Sequence, residues 1–251
     1  MRFFIASWYK DIKLKNMKKY IDSHCHLPNS ESFDTVFARA NAMGVVGCVL
    51  NSVTENDWKQ ITQIANSNKN VIGAVGIHPW HVETASEHWI DNMSDILQDN
   101  PNITVGEVGL DKTHENFAAQ EKIFIQSLEI AIKYRRVLNL HCVHAWDIML
   151  QILQKYEQEL PAIVAHAFDG TQNALDFGDK LYFSYSPNVG NPGYKKVISS
   201  VLNVPKNKIL VESDSSELLP TIDATNGVLS LRDDITSDDI FNNAMGVFFN
   251  G

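Results

Sequence analysis

The chain has 251 residues, of which 44% are hydrophobic, 10% aromatic and 20% charged. This composition excludes a largely disordered chain, and the length is common for a single α/β barrel. The net charge of −9 at pH 7 has the wrong sign for a protein held on nucleic acid or anionic lipid by its overall field. Any polyanionic substrate therefore needs a local source of positive charge.

The cysteines and the N-terminal segment predict a cytoplasmic protein. The three cysteines are scattered and contain no CxxC pair, so they do not form a disulfide framework. The opening MRFFIASWYK contains a short apolar run that charged residues interrupt before a signal sequence or membrane span is complete. Met17 directly precedes the first strand-like segment, so we expect residues 1–16 to be an extension and residues 17–251 a single domain.

Short apolar segments alternate with longer segments of helical periodicity. Eight segments are rich in Val and Ile and are closed by turn or polar residues, which predicts β-strands. They are 20–27, 45–52, 71–79, 103–110, 137–143, 162–168, 181–187 and 208–215. Helical spacing predicts helices over 33–43, 57–67, 88–99 and 117–134. This alternation predicts an α/β fold, a (β/α)8 TIM barrel whose C-terminal unit is abbreviated.

Side chains that can ligate a metal lie toward the carboxyl ends of five of these strands. In a barrel those ends converge on the face where such enzymes keep their active sites. The six candidates are His24, His26, Glu107, His141, His166 and Asp214. Alternation along the first strand puts His24 and His26 on one side and Cys25 on the other. A lone histidine at a strand end is more often structural, but candidates at five separate strand ends favour a metal site.

The chemistry of the six candidates favours a pair of metal ions. Four imidazoles and two carboxylates suit Zn²⁺, Mn²⁺, Fe²⁺ or Co²⁺ better than Ca²⁺. Six ligands exceed those of one catalytic zinc, and the two oxygens of Glu107 can bridge two ions. Paired ions, roughly 3.5–4 Å apart, activate water and clamp the oxygens of a phosphorus centre. Glu107 and Asp214 are therefore the predicted catalytic residues, Asp214 also accepting or relaying the proton of the attacking water.

Six segments stand in the order and at the approximate spacing of known family signatures: DSHCHL (22–27), GIHPW (76–80), GEVGLD (106–111), LHC (140–142), HAFDG (166–170) and ILVESDS (209–215). On these segments the chain resembles the TatD family of metal-dependent hydrolases, within the amidohydrolase-like barrels. The resemblance implies a cytoplasmic nuclease that uses two divalent ions, of zinc, manganese, magnesium or iron. It implies that His24, His26 and Asp214 hold one metal, that His141 and His166 hold the other, and that Glu107 is shared.

Two segments depart from the family pattern. Val143 and His144 stand where the family usually has Arg–Asp, and Ser216, Glu217 and Leu218 stand where it usually has Pro–Tyr–Leu. Loss of the arginine removes a planar phosphate clamp, and the acidic Glu217 adds repulsion, so we expect weakened phosphate recognition with intact metal chemistry. The expected partner is a short phosphate-ester substrate such as single-stranded DNA ends, with no stable binding to duplex DNA and none to membranes.

Three further histidines are candidate substrate contacts, each with a structural alternative. His78 and His81 lie near the expected mouth of the barrel and either contact substrate or fix a loop. His144 either replaces the missing cation or caps the next helix. Asp111 is expected to orient a neighbouring metal ligand, as such sites commonly require.

Two other functions stay open on the sequence. One is hydrolysis of an amide, a lactone or another ester by the same metal pair, which a pocket without phosphate-binding cations would favour. The other is a non-catalytic protein that keeps metal for stability and acts as a binding partner. The candidate ligand set argues against the second, because a purely structural site is coordinatively closed and has no need of a bridged pair.

Overall fold

Eight parallel strands form a nearly closed barrel in this computed structural model, which describes residues 18–249. The strands are Tyr20–His26 (β1), Val45–Asn51 (β2), Val71–Val75 (β3), Ile103–Asp111 (β4), Leu138–Val143 (β5), Ile163–Ala165 (β6), Leu181–Tyr185 (β7) and Ile209–Val211 (β8). Each strand pairs in parallel with the next one along the chain, in the order β1 to β8. The presence of eight strands and the TIM-barrel fold are therefore confirmed, but β3, β6 and β8 end at Val75, Ala165 and Val211, before the predicted ends at residues 79, 168 and 215.

Helices connect the strands around the outside of the barrel. They are Phe33–Asn41 (α1), Glu55–Ser67 (α2), Trp89–Asp99 (α3), Phe117–Tyr134 (α4), Trp146–Lys155 (α5), Gln172–Leu175 (α6), Lys195–Asn203 (α7), Pro220–Leu231 (α8) and Ser237–Ala244 (α9). Short 3-10 turns cover Pro79–Thr84, Pro187–Gly190 and Lys206–Lys208, and a π-helical turn covers Met245–Phe249. In the C-terminal unit the strand β8 is short, and α8 and α9 follow it.

The extension predicted over residues 1–16 lies outside the described residues, so the domain boundary stays a prediction. Among residues 18–249, no helix combines the length and the apolar character that crossing a membrane requires.

The amphipathic patterns explain why these segments fold as they do. All nine residues of β4 are buried, as expected of a parallel strand that is covered on both faces. In α1 the buried residues recur every three or four positions: Phe33, Val36, Phe37 and Ala40. The helix begins after Ser32, whose hydroxyl accepts a hydrogen bond from the backbone N–H of Thr35 at 3.3 Å.

Apolar side chains fill the barrel below the candidate site. The residues of this packed layer come from β1, β2, β3, β6 and β8: Ile21, Val49, Ile72, Ala74, Val164 and Leu210. Ala244 and Phe248, from the C-terminal end of the described chain, pack against the same layer. The barrel is therefore a filled core, and a site can form only at the opposite, carboxyl ends of the strands.

The barrel closes between β8 and β1 through the segment that follows β8. The backbone N–H of Asp214 donates to the carbonyl of His24 at 3.0 Å, and the N–H of His26 donates to the carbonyl of Ser215 at 3.0 Å. Within the seam, the hydroxyl of Ser23 donates to the carbonyl of Val211 at 2.7 Å. This closure places Asp214 beside the two histidines of β1.

A glycine allows β4 and β5 to approach each other next to the site. Gly109 pairs with His141 across the two strands and has a φ of +157°. A Cβ atom at this position would lie 1.8 Å from the carbonyl oxygen of His141. Only a residue without a side chain fits there, because the obstacle is backbone and cannot rotate away.

We therefore expect Gly109→Ala to lower the free energy of unfolding by about 3 kcal/mol or more, measured by denaturant or thermal unfolding. Gly190→Ala is the matched control, because a Cβ at Gly190 meets no atom within 4 Å. Equal stability of the two variants would contradict the close approach of β4 and β5.

Candidate metal centre

The carboxylate of Glu107 lies at the centre of the candidate site. Its residue is 2% exposed. Nitrogens of five histidines lie within 3.7 Å of its oxygens: His141 Nδ1 (2.8 Å), His166 Nε2 (2.8 Å), His78 Nε2 (3.3 Å), His24 Nε2 (3.3 Å) and His26 Nε2 (3.7 Å). The first three approach Oε1 and the last two approach Oε2. Each oxygen thus faces its own group of imidazoles, as a carboxylate that bridges two cations requires.

The structure brings all six predicted ligands to this one place. His26 Nε2 lies 3.6 Å and His166 Nδ1 lies 3.9 Å from Asp214 Oδ1. Three groups have ligand atoms within 4.8 Å of one another: His24, His166 and Asp214; His24, His26 and Glu107; and His78, Glu107 and His141. A cavity of about 310 Å³ opens over the site. Whether the six side chains ligate metal stays a prediction.

His78 lies inside this cluster rather than at its edge. The residue is 6% exposed, and its Nε2 is 3.2 Å from His141 Nδ1 as well as close to Glu107. Its Nδ1 accepts a hydrogen bond from the backbone N–H of Trp80 at 3.1 Å. His78 was predicted only as a substrate or loop residue at a strand end near the mouth of the barrel, because the sequence shows no partner for it. In the structure β3 ends at Val75, before His78.

The donor atoms of the cluster fit a divalent cation. Both ring nitrogens of His24, Nδ1 of His26 and Nδ1 of His166 are buried and have no hydrogen-bond partner. A buried polar atom without a partner costs about 1–3 kcal/mol, so several of them together fit a bound cation as their partner. Imidazoles with carboxylates are ligands that zinc, manganese and iron accept.

Charges within the cluster shift the pKa values of its members in opposite directions. Burial raises the pKa of Glu107, but the charges of His166 and His24 outweigh burial and hold that pKa well below its usual range. Burial lowers the pKa of His166, but the Glu107 carboxylate outweighs it and the pKa lies well above its usual value. Burial and the neighbouring His166 lower the pKa of His24. The cluster therefore keeps the carboxylate of Glu107 ionised and favours positive charge beside it, as a cation site requires.

Asp111 orients His141 from behind. Asp111 Oδ2 lies 3.4 Å from His141 Nε2, on the far side of the ring from Glu107, and accepts a hydrogen bond from Trp80 Nε1 at 2.6 Å. Oδ1 accepts from the backbone N–H of Thr113 at 2.8 Å. Burial raises the pKa of Asp111, but the hydrogen bonds from Thr113 and Trp80 lower it to about 2. An ionised Asp111 therefore favours a proton on His141 Nε2. The Nδ1 atom is then unprotonated, and its lone pair faces the site as a possible metal ligand.

Glu212 faces His166 in a similar way, and it was not among the predicted site residues. Its residue is fully buried, and its Oε1 lies 3.6 Å from His166 Nδ1. The same oxygen accepts a hydrogen bond from the backbone N–H of Ala167 at 2.5 Å. The signal in the sequence is an acidic residue one position past the buried strand β8, inside the ILVESDS segment.

Asp22 ties the β1–β8 seam together and was also missed. Its Oδ1 accepts from the backbone N–H groups of Ser213 at 2.9 Å and His24 at 3.2 Å, and its Oδ2 accepts from the hydroxyl of Thr221 at 2.7 Å. Burial raises the pKa of Asp22 to about 7, although these hydrogen bonds lower it. Asp22 thereby holds the segment that carries Asp214 against β1.

The other predicted contacts lie away from the cavity. His81 is half-buried beside His78, with ring centroids 6.3 Å apart, and His144 is exposed. Neither of these histidines lines the cavity, and their proposed contact with substrate stays a prediction. The carboxylate of Glu217 lies 2.8 Å from Arg39, which also binds Glu31 at 3.0 Å. One guanidinium is therefore shared by two carboxylates, so Arg39 offsets only part of the repulsion expected from Glu217.

We expect Glu212→Gln to weaken metal binding by about 10- to 100-fold, because the amide keeps an acceptor for Ala167 but removes the charge that faces His166. The measurement is a titration of metal-free protein with Zn²⁺ or Mn²⁺. Asp147→Asn is the control, since that carboxylate is 66% exposed and pairs with Lys112 on the surface. Unchanged affinity in Glu212→Gln would show that this carboxylate does not act through His166.

Comparison with known proteins identifies the family. The model of the TatD related DNase family matches residues 21–226. A 3′-5′ ssDNA/RNA exonuclease TatD from Enterobacter lignolyticus is 28% identical over 193 residues, which cover 74% of this chain and 74% of that protein. Among solved structures, a TatD homologue from Escherichia coli K12 has a TM-score of 0.80 at 20% identity, covering 92% of this chain and 98% of that one.

A TatD family hydrolase from Entamoeba histolytica has a TM-score of 0.78 at 17% identity, with coverage of 93% and 99%. At these identities the two structures support the fold alone. The family model, in contrast, spans most of the chain and both ends of the ligand set. The protein belongs to the TatD-related DNase family.

Proposed function

We propose that the protein is a divalent-metal-dependent hydrolase that cleaves phosphodiester bonds in short single-stranded DNA or RNA ends or in nucleotides. The observation that carries the proposal is the buried carboxylate of Glu107 between two groups of imidazoles, at the floor of an open cavity. The TatD relative from Enterobacter lignolyticus is named as a 3′-5′ exonuclease of single-stranded DNA and RNA, which supports this substrate class.

The arrangement favours two ions of zinc, manganese, magnesium or iron. His24, His26 and Asp214 would hold one, His141 and His166 the other, and Glu107 would be shared. His78 is a further donor beside the second group, since its Nε2 is 3.3 Å from Glu107 Oε1. Bound ions would lower the pKa of a water molecule and neutralise charge on the phosphate.

The residues of this chain would perform the remaining steps. Glu107 and Asp214 supply the negative charge that holds the ions, and Asp214 is the more accessible of the two, with 35% of its side chain exposed. Burial raises the pKa of Asp214, but its contact with His26 outweighs burial and keeps the carboxylate ionised. An ionised, accessible carboxylate at the cavity wall is placed to accept the proton of the attacking water and to pass it to the departing oxygen.

One observation keeps an alternative substrate class in view. Among residues 18–249, those that line the cavity include no lysine and no arginine: His26, Val53, His78, Trp80, Glu107, His141, His166 and Asp214. A site of this kind also suits a neutral amide, ester or lactone.

The free thiols of Cys25, Cys48 and Cys142 support the proposal that the protein works in a reducing cytoplasm.

The first prediction concerns the shared ligand. We expect Glu107→Ala to reduce phosphodiester turnover by at least about a hundredfold and to lower metal content, because both ions lose their common carboxylate. Metal-free Glu107→Ala should unfold at nearly the wild-type temperature. Activity, metal content by mass spectrometry and thermal unfolding are compared with Glu129→Gln, a control at an exposed carboxylate. A folded Glu107→Ala protein with wild-type turnover and metal content would exclude the shared-carboxylate model.

The second prediction concerns pH. Histidines must be neutral to bind metal, and despite burial a carboxylate raises the pKa of two of them: Glu107 raises that of His166, and Asp214 raises that of His26. Protons therefore compete with metal at a higher pH than the free imidazole value of about 6.5 would indicate. Activity should fall as pH falls through the neutral range, and excess Mn²⁺ or Zn²⁺ should move this limb toward acid. An acid limb that does not move with metal concentration would mean that ligand protonation does not control it.

The third prediction separates the two substrate classes. Val143→Arg restores a cation where the family usually has one. We therefore expect kcat/KM on phosphate substrates to rise, by a factor that corresponds to about 1.5–3 kcal/mol of added transition-state stabilisation. The measurement compares wild type and Val143→Arg on a small phosphodiester, a short oligonucleotide and a neutral ester. A wild-type preference for the neutral ester would favour the amidase or esterase alternative.

A further inference from the structure

Trp80 stands at the rim of the site cavity and is not one of the predicted metal ligands. It is 53% exposed, whereas the other tryptophans within residues 18–249 are at most 6% exposed: Trp58, Trp89 and Trp146. A single exposed aromatic residue needs no special explanation by itself. What separates Trp80 from an ordinary surface residue is how it is held and where it lies.

The indole of Trp80 is held rigidly by three neighbours. Its Nε1 donates to Asp111 Oδ2 at 2.6 Å. One face stacks on the ring of His114, with centroids 4.3 Å apart and planes 19° apart, and the ring of His78 packs edge-on at 4.9 Å. Rigid aromatic side chains lose little conformational entropy when a ligand stacks on them. Trp80 and His114 therefore form a preformed aromatic platform.

Trp80 is shared by two cavities. Trp80 lines both the site cavity and an adjoining cavity of about 260 Å³, which His114 also lines. In the part of the chain that the structure describes, the residues lining the second cavity include Glu83 and Glu115 and no lysine or arginine. Acidic walls disfavour a phosphate group there, whereas an uncharged planar ring meets no such repulsion.

We infer that Trp80 and His114 form a stacking subsite for a nucleobase next to the scissile phosphodiester. The inference rests on the proposed function and deepens it, because it specifies a single-stranded substrate whose unpaired base is free to stack on the protein. The stacking subsite lies next to the predicted metal ligands, because the Trp80 ring contacts His78 and His78 Nε2 lies 3.3 Å from Glu107. Stacking accepts any base and supplies affinity without a cation, which suits a cavity that lacks lysine and arginine.

The test compares substrates with and without bases on metal-loaded protein. One substrate is a four-residue oligodeoxyadenylate, and the other is the same backbone with every base removed. We expect Trp80→Leu to lower kcat/KM on the adenylate roughly fivefold to a hundredfold more than on the abasic backbone. Trp80→Phe keeps an aromatic plane and should retain most of the preference for the substrate with bases.

A control variant separates stacking from the support that Trp80 gives to Asp111. Thr113→Val removes another hydrogen bond to Asp111, from the Thr113 hydroxyl at 2.6 Å, together with the 3.2 Å contact of that hydroxyl with His114 Nδ1, and keeps both rings of the platform. Thr113→Val should lower activity on both backbones by the same factor. If Trp80→Leu also lowers kcat/KM on the adenylate and on the abasic backbone by the same factor, Trp80 acts only through Asp111 and the subsite is refuted.

A binding measurement distinguishes failure of the subsite from failure of the proposed function. Deoxyadenosine monophosphate should quench tryptophan fluorescence of the metal-loaded protein, deoxyribose 5-phosphate should not, and the quench should disappear in Trp80→Phe. If the wild type cleaves neither backbone, the proposed function fails, while this quench still decides the subsite. Equal responses to the two phosphates, or a quench that survives in Trp80→Phe, would overturn the inference.

Discussion

The buried carboxylate of Glu107 is the constraint on which the rest of the site depends. An isolated carboxylate inside a protein is costly, so its charge must be met by partners that the fold brings to it. Here those partners are imidazoles from β1 and β5 and from the segments after β3 and β6. A (β/α)8 barrel satisfies this requirement because the carboxyl ends of all its strands point to one place.

The seam between β8 and β1 completes the site. Asp214 is not part of a strand but lies in the segment after β8, where its φ is +48° and its backbone N–H binds β1. Such a conformation is unfavourable for a residue with a side chain and persists only when its surroundings hold it. The hydrogen bonds of Asp22 to Ser213 and Thr221 supply that support. The seam that closes the barrel is thus also what positions the second carboxylate.

Neither the chain as a whole nor the side chains around the cavity attract an anion. The net charge is −9, and the described residues that line the cavity include no lysine or arginine. Attraction for a phosphodiester must then come from bound cations and from uncharged contacts. Trp80, fixed by Asp111 and stacked on His114, is a contact of the second kind, and Asp111 also faces His141. One carboxylate therefore connects the rim of the cavity to its metal-binding floor.

The sequence by itself determined the barrel and the six residues that meet inside it. Apolar periodicity depends on local burial, and ligand-type side chains at strand ends converge in any parallel barrel, so both could be predicted without coordinates. Only the tertiary structure decided which other side chains join them. His78 reaches Glu107 from past the end of β3, Glu212 faces His166, and Arg39 pairs with Glu217, 178 positions away. These contacts depend on loop paths and side-chain directions, which hydrophobic patterns and family spacing do not encode.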